Sequence, residues 1–374
     1  MPVIDQSGMR RLNTHAVLRV LADTSGVVTN AELVAQTRLS RRTIELILAD
    51  LIARGWVREA DPPEAAAAAG RPKKYFAFVA DRALVLSVMI VPPQVGAVVA
   101  DAQGTELARA SSRLVNDDDA AAAVHMALAV AGEALAASAR DRDRLAGIVV
   151  GVSGTVGVDG VVHTSPVGPE WPGKDLRTPF QDAFSAPTSV ENDANLVAVA
   201  EHAFGAVRDE STFVVLTPGN RVSAGVVIDG DLYRGFQGAA GELVRLPVSG
   251  PDLHEHPVAR ISSPHEAERE AARAILRRAA AGDEAAAALA REFFASVARL
   301  VATIGWVLAP PVLVVSGGLE GVEGIVRTYL GEALAALDLP EMDVRVAPLP
   351  RDAVLRGGVR FALDSLGADI FGID

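Results

Sequence analysis

The chain of 374 residues contains no cysteine, only three lysines, and few aromatic residues, which make up 5% of the sequence. The absence of cysteine excludes disulfide bonds, cysteine-ligated zinc and thiol nucleophiles, and it is typical of a reducing compartment. No apolar stretch reaches membrane-spanning length without a glycine, a proline or a charge interrupting it, and no apolar run follows a basic start. These absences predict a cytoplasmic protein without a membrane partner.

Length and charge indicate more than one domain. A chain of this length exceeds what one hydrophobic core usually serves, so we expect two or three domains. Residues 1–80 hold 11 Lys and Arg against 8 Asp and Glu, a net charge of +3, whereas residues 81–374 hold 24 against 39, a net charge of −15. A basic segment attached to an acidic body indicates that contact with nucleic acid is confined to the N-terminal part.

The N-terminal segment has the pattern of a helix-turn-helix. Apolar residues at helical spacing predict a helix over 13–22, a short second helix over 31–36 and a third over 41–54. In a helix-turn-helix the last of these enters the major groove of DNA with its N-terminal residues at the base edges. The alternative is a helical hairpin in an unrelated bundle. The residues that this pattern predicts at the DNA are Ser40, Arg41, Arg42 and Thr43.

Two predicted strands, over 55–58 and 70–78, follow these helices and form a wing. Two of the three lysines of the chain, Lys73 and Lys74, lie here beside Arg71. A wing would bring them to DNA phosphates or to a minor groove. A solvated basic turn is the simpler interpretation, but the scarcity of lysine elsewhere favours a DNA contact.

A polar cluster lies where a short strand gives way to an Ala-rich helix. Asn192, Asp193 and Asn195 are residue types that favour helix N-caps over helix interiors. In α/β folds this position, outside the carboxyl end of a strand, is where ligands bind. A plain helix cap explains the cluster equally well when it is taken alone. Further along, a hairpin around Asp229-Gly230 and a Gly-rich turn lead to Glu242.

Two motifs, Glu191-Asn-Asp-Ala-Asn195 and Gly235-Phe-Gln-Gly-Ala-Ala-Gly-Glu242, resemble the ROK family of sugar kinases and sugar-responsive repressors. The resemblance runs from about residue 82 to the C terminus. It implies an α/β protein with a winged helix-turn-helix DNA-binding domain at 1–80 and a two-lobe, actin-like (ribonuclease H-like) sugar-sensing domain at 81–374. The implied lobes are about 81–190 and 191–374. The implied ligand contacts are Asn192, Asp193 and Glu242.

The kinase and zinc motifs of the family are degenerate in this chain. Ile90-Val-Pro-Pro-Gln-Val-Gly96 lacks the Asp and Thr of the family's phosphate turn, and Thr217-Pro-Gly-Asn-Arg221 keeps one glycine of a second phosphate loop. Asp193 holds the position of the family's general base. Arg245 stands where the family has a zinc-ligating histidine, and the family's cysteine cluster is absent. We therefore expect no catalysis, no cofactor and no metal.

Arg245 is the fourth candidate residue of the ligand site, and its role has two interpretations. It pairs with Glu242 and takes over the structural role of the lost zinc, or it faces the ligand and favours a sugar acid or a sugar phosphate.

The sequence thus predicts a DNA-binding transcriptional regulator, a repressor, whose second domain senses a sugar or sugar derivative. We expect a homodimer or homotetramer that binds a double-stranded DNA operator. The alternatives are a sugar kinase that uses ATP and carries an added DNA-binding arm, and a scaffold that binds only protein partners. Binding of sugars, ATP and DNA distinguishes the three.

Overall fold

The computed structural model contains an N-terminal module and two larger units, each built on a five-stranded sheet. Arg71 of the predicted wing and Arg245 of the predicted ligand site lie outside the described residues, so both stay predictions. The described residues are 6–24, 26–62, 73–91, 93–114, 119–219, 222–243, 252–263, 265–319, 321–337, 339, 341–349 and 352–365.

The N-terminal module has the helix order and the sheet of a winged helix-turn-helix. Thr29 begins the second helix through a capping box with Glu32, and the Ser40 hydroxyl accepts a hydrogen bond from the Thr43 N–H at the start of the third. Both wing strands are present, and a short strand that the sequence analysis missed joins them in the order β1-β3-β2. The elements are α1 (Gln6–Asp23), β1 (Val27–Thr29), α2 (Asn30–Thr37), α3 (Arg41–Ala53), β2 (Val57–Ala60) and β3 (Tyr75–Phe78).

The first larger unit is a mixed sheet with the strand order β10-β7-β4-β5-β6. Its central strands are apolar on both faces, as expected for strands covered by helices on two sides. Leu86 and Val88 pack in one hydrophobic cluster with residues of α4, and Val85 lies in another. The elements are β4 (Leu84–Val91), β5 (Gln94–Asp101), β6 (Glu106–Arg113), α4 (Ala120–Ala137), β7 (Leu145–Val152), β8 (Thr155–Val156), β9 (Val162–Thr164), α5 (Arg177–Phe184) and β10 (Thr188–Asn192).

One helix of the described part of the chain, α4, is long and apolar enough to cross a membrane by length and composition. Its buried residues, which include Ala123, Ala127 and Ala131, belong to the hydrophobic cluster of the first sheet. The small alanine side chains let the helix approach the sheet closely. One face of α4 therefore packs on the first sheet.

The second larger unit is a sheet with the order β13-β12-β11-β14-β15. Its largest hydrophobic cluster joins strand residues such as Leu313 to Phe293 and Phe294 of α9. The elements are α6 (Asp193–Phe204), β11 (Phe213–Thr217), β12 (Ser223–Ile228), β13 (Asp231–Leu232), α7 (Asp252–Glu255), α8 (Glu266–Ala280), α9 (Glu284–Leu308), β14 (Val312–Val315), α10 (Glu323–Ala335), β15 (Asp343–Val346) and α11 (Ala353–Ser365).

The last helix, α11, packs on the first sheet and on α6. Two glycines allow this contact: a Cβ at Gly357 would lie 1.9 Å from the Leu196 carbonyl oxygen, and one at Gly358 would lie 2.1 Å from Ser87 Oγ. The sequence-based division into lobes at residue 191 stays a prediction. Residues 353–365, which it assigned to the second lobe, pack their buried side chains in a hydrophobic cluster with residues of the first sheet.

The winged module packs directly on the first sheet. Leu18 and Leu21 of α1 share a hydrophobic cluster with Val359 of α11. The side chain of Gln103, in the turn between β5 and β6, donates from Nε2 to the Ala22 carbonyl oxygen at 3.0 Å. The module is thus attached to the same sheet that carries β10 and leads into α6.

Candidate functional site

The start of α6 is held against the loop that follows β7. Strand β10 pairs in parallel with β7, with Asn192 opposite Val152, so both chains leave the sheet at the same edge. The Asn192 side chain accepts hydrogen bonds from the N–H groups of Ala194 at 2.8 Å and Asn195 at 3.2 Å. Its Nδ2 donates to the Gly154 carbonyl oxygen at 2.8 Å. Asn192 therefore caps the helix and fixes the neighbouring loop at once.

The carboxylate of Asp193 is oriented by a hydroxyl from that loop. Ser153 Oγ donates to Asp193 Oδ2 at 2.5 Å, and the Ala194 N–H donates to Asp193 Oδ1 at 2.9 Å. Asp193 is half-buried, whereas Asn192 is only 6% exposed. Ser153 was not among the predicted site residues, because its contact with Asp193 spans 40 positions of the chain.

A buried carboxylate beneath these residues ties the two sheets together. Glu191, 5% exposed, accepts a hydrogen bond from Asn195 Nδ2 at 2.8 Å and one from Arg234 Nε at 2.6 Å. Arg234 follows the β12–β13 hairpin, so this ion pair crosses from the second sheet to the end of β10. Sequence analysis missed Arg234. The signal for it was the buried Glu191, which needs a cationic partner.

The Gly-rich turn after β13 brings Glu242 to the cluster. A Cβ at Gly241, whose φ is +85°, would lie 1.8 Å from the Ala224 carbonyl oxygen, so only glycine allows the turn to pass β12 this closely. Glu242 Oε1 accepts a hydrogen bond from Asn192 Nδ2 at 3.4 Å. The structure thus brings together three of the four predicted ligand-site residues, Asn192, Asp193 and Glu242.

The backbone that follows β11 and β14 in the second sheet is closely packed. A Cβ at Gly219 would lie 1.8 Å from Ser262 Oγ, and one at Gly318 would lie 2.7 Å from the Ile261 carbonyl oxygen. Both partners belong to one 3-10 turn, Pro257–Ser262. This turn therefore lies against the backbone that follows each of the two strands.

The predicted DNA-contacting residues lie on the surface of the winged module. Arg41 and Arg42 are exposed, and Arg41 Nε contacts Glu45 Oε1 at 3.0 Å within α3. The hydroxyl groups of Ser40 and Thr43 bond to each other at 2.8 Å, and Ser40 also caps the helix. Their contact with DNA stays a prediction.

The two lysines at the start of the second wing strand differ. Lys74 Nζ contacts Glu59 Oε1 at 2.6 Å across the wing, a pairing that the sequence analysis did not foresee. Lys73 is exposed, and no described carboxylate lies within ion-pair distance of it. Lys73 is therefore the lysine of this wing that is better placed to meet a phosphate.

In the part of the chain that the structure describes, no group of three His, Asp or Glu side chains could hold a metal ion. The residues that cluster at α6 are instead an amide and carboxylates joined by hydrogen bonds, a set suited to hydroxyl groups.

Comparison with known proteins agrees with this arrangement. Residues 94–257, which contain the cluster at α6, match the ROK family. These residues form a ROK family domain. Among solved structures, a ROK family transcriptional regulator described as a homologue of the E. coli MLC protein is 19% identical, with a TM-score of 0.77 over 97% of this chain and 98% of that one. This likeness confirms the predicted fold, the N-terminal helices included.

A glucokinase, a repressor and a fructokinase are also similar to this chain. A ROK glucokinase from Streptomyces griseus, in complex with glucose and AMPPNP, is 23% identical with a TM-score of 0.61 over 75% of this chain and 99% of that one. The xylose repressor of Bacillus subtilis is 30% identical over 109 residues, which are 29% of this chain and 28% of that protein. A fructokinase of Zymomonas mobilis is 38% identical over 85 residues, 22% of this chain and 28% of that enzyme. The chain spans about a quarter of the length of these two curated relatives.

Proposed function

We propose that this ROK protein is a DNA-binding transcriptional regulator, a repressor, whose ROK domain senses a sugar or sugar derivative. The observation that carries the proposal is the hydrogen-bonded cluster of Asn192, Asp193 and Glu242 in a chain whose winged module packs on the same sheet. Ligand contacts at α6 and DNA contacts at α3 then lie on one continuous packed body. The similarity to a xylose repressor and to a regulator of the same overall fold supports this proposal.

The ligand that the cluster favours is a polyhydroxyl compound. Two carboxylates and an amide, held apart by their own hydrogen bonds, accept from adjacent hydroxyl groups through charge-assisted bonds. Ser153 fixes one Asp193 oxygen, which sets the direction of that carboxylate before the ligand arrives. Arg245 keeps its two interpretations, a structural partner of Glu242 or a contact for an acidic group on the sugar, and we favour the structural pairing.

We infer that the protein transfers no phosphoryl group. Asp193 retains the position of a general base, but phosphoryl transfer depends mostly on positioning and on stabilising the charge of the phosphoryl group. The turn Pro257–Ser262 lies against Gly219 and Gly318, where kinases of the family hold nucleotide. An active sugar kinase remains the second candidate function, since Asp193 is present and kinases are among the relatives.

On the DNA side, we propose that α3 enters a major groove and that the wing contacts phosphate. Arg41 and Arg42 head the helix, and Lys73 lies at the start of the second wing strand. A protein with one recognition helix reads a pseudo-palindromic operator as a dimer. The proposal therefore includes a homodimer or a homotetramer.

The decisive experiment combines thermal shift and DNA binding on the full chain. We expect at least one monosaccharide to raise the melting temperature, with no further rise on adding ATP and Mg²⁺ and no sugar phosphate formed. Genomic DNA fragments selected by the protein should contain a pseudo-palindrome. The same sugar should change their retention, and Arg41→Ala should weaken it. ATP-dependent sugar phosphorylation abolished by Asp193→Asn would overturn the proposal in favour of the kinase.

A further inference from the structure

The turn of the helix-turn-helix holds an arginine in a backbone conformation that favours glycine. Arg38 follows the last residue of α2 with φ +58° and ψ +17°, in the left-handed region. Its N–H donates to the Val34 carbonyl oxygen at 2.9 Å, which closes the helix. Helices that end in this conformation most often do so on glycine, because a Cβ crowds the backbone there. The backbone of Arg38 is therefore strained.

Hydrogen bonds fix this turn on both sides of Arg38. Before it, Thr37 Oγ1 accepts from the Leu39 N–H at 3.3 Å. After it, Ser40 begins α3 by accepting from the Thr43 N–H at 3.1 Å. The point from which the Arg38 side chain leaves the backbone is therefore set before any partner binds.

The Arg38 side chain is exposed, and none of the described carboxylates lies within ion-pair distance of it. Two other cations of the predicted DNA surface are already paired. Arg41 contacts Glu45 within α3. Lys74 contacts Glu59 across the wing. A carboxylate beside a cation weakens the attraction of that cation for a phosphate, because the two negative groups repel each other. Arg38 has no such neighbour in the described part of the chain.

Arg38 lies beside the predicted recognition helix. Its Cα is at most about 7 Å from that of Ser40, the N-cap of α3, because two residues of extended chain span no more than this. In a helix-turn-helix, the first helix crosses the DNA backbone and the second lies in the major groove with its N-terminal residues at the bases. The turn between them therefore lies at the edge of the groove, where the phosphates are.

We propose that Arg38 binds a DNA phosphate at the edge of the groove that α3 enters. This inference rests on the proposed DNA-binding function, and it adds a residue that the sequence pattern did not indicate. The guanidinium group donates to the phosphate oxygens, a contact that positions the protein on the duplex and reads no base. Glycine at this position would relieve the backbone strain and lose the contact. Stability and DNA affinity should therefore change in opposite directions.

Three variants of Arg38 in the full chain separate its charge from its backbone conformation. Fluorescence anisotropy measures their binding to a labelled mixed-sequence duplex of about 30 base pairs between about 50 and 200 mM salt, since a phosphate contact does not depend on sequence. We expect Arg38→Gly and Arg38→Gln to weaken binding several-fold at the lowest salt. Both should reduce the slope of log affinity against log salt by about 0.9, the value for one lost phosphate contact. Arg38→Lys keeps the charge and should keep the slope.

Melting temperatures distinguish this contact from a structural role of the side chain. Arg38→Gly should melt at or above the wild-type temperature, because glycine favours the left-handed conformation. Ser185→Gly is the matched control for the backbone: Ser185 is exposed and ends α5 at φ +55°, with its N–H on the Gln181 carbonyl oxygen. It should also melt at or above the wild-type temperature, and its DNA binding should equal that of the wild type.

Arg19→Gln is the matched control for charge within the winged module. Arg19 is an exposed residue of α1 that lies near α6: burial lowers the pKa of His202 in α6, and the charges of Arg360 and Arg19 add to that shift. Removing this charge should leave the salt slope unchanged. A loss of slope equal to that of Arg38→Gln would contradict the inference, because any arginine of the module would then have the same effect.

Further results would overturn the inference and leave the proposed function in place. One is a wild-type protein that binds the duplex while Arg38→Gly and Arg38→Gln keep its affinity and slope. Another is a slope for Arg38→Lys that falls as far as that of Arg38→Gln. Weaker binding by an Arg38→Gly protein that melts below the wild type would also contradict it, because the side chain would then act on the fold. A wild type that does not bind the duplex even at about 50 mM salt would instead contradict the proposed function.

Discussion

The start of α6 and the ends of β11 and β14 differ in the atoms that surround them. At the start of α6, Asn192 bonds to Glu242, and Asn192 and Asp193 each bond to the loop after β7. At the ends of β11 and β14, the turn Pro257–Ser262 packs closely against Gly219 and Gly318. The start of α6 carries polar atoms suited to hydroxyl groups, whereas the ends of β11 and β14 are closely packed.

This difference bears on whether the protein only binds a sugar or also transfers a phosphoryl group to it. A sensor needs only the hydroxyl-binding side, whereas a kinase needs both sides in register, because the phosphoryl group must lie between them. If the turn Pro257–Ser262 excludes nucleotide, as proposed, the polar cluster is left without a co-substrate site.

The largest expected effect is at the buried ion pair beneath the polar side. Glu191→Ala should destabilise the protein by about 3 kcal/mol, because Arg234 and Asn195 remain but lose the carboxylate that accepts their hydrogen bonds. The partial exposure of Arg234, 37%, keeps the cost below that of a fully buried pair. Glu59→Ala, which removes the exposed contact with Lys74, is the matched control and should cost under about 0.5 kcal/mol. Urea unfolding measures both, and equal losses would show that the polar side is not held by Glu191.

The next effect is at the packed side. Gly219→Ala should cost about 1–3 kcal/mol, because its new methyl group would overlap the Ser262 side chain. Ser262→Gly in the same chain should recover part of that loss. Gly324→Ala is the control, since a Cβ there meets nothing within 4 Å and alanine favours the α10 helix. If Gly219→Ala is as stable as the wild type, the turn Pro257–Ser262 moves at little cost. That result would favour the kinase alternative.

Local signals in the sequence were enough for the helices of the winged module and for the strand-to-helix junction at Asn192. Caps such as Ser40 and Asn192 act within three residues, so they are visible in the sequence itself. The position of Glu242 beside Asn192 came from the family resemblance, since the Gly-rich turn lies 50 positions away.

The parts that the sequence analysis missed are all non-local. Ser153 reaches Asp193 across 40 positions, and Arg234 reaches Glu191 across 43. The return of α11 to the first sheet depends on Gly357 meeting the Leu196 carbonyl. The glycines were visible in the sequence, but the surfaces that they approach were not. Pairings of this kind are set by tertiary packing, which no local pattern encodes.

The smallest expected effect concerns how Asp193 is held for the ligand. Ser153→Ala removes the hydroxyl that binds Asp193 Oδ2, so the carboxylate must be ordered by the sugar instead. We expect sugar affinity to fall by about three- to tenfold, close to 1 kcal/mol, with little change in stability, because one hydrogen bond of a half-buried group is lost. Ser165→Ala is the control: this residue follows β9, and its hydroxyl donates to the Ser153 carbonyl oxygen and accepts from the Val167 N–H. Calorimetry with the sugar identified by thermal shift gives both affinities. If the two variants weaken binding equally, the loop acts only as a scaffold. If only Ser153→Ala does, the hydroxyl positions Asp193 for the ligand, and the polar cluster at the start of α6 is preorganised for binding.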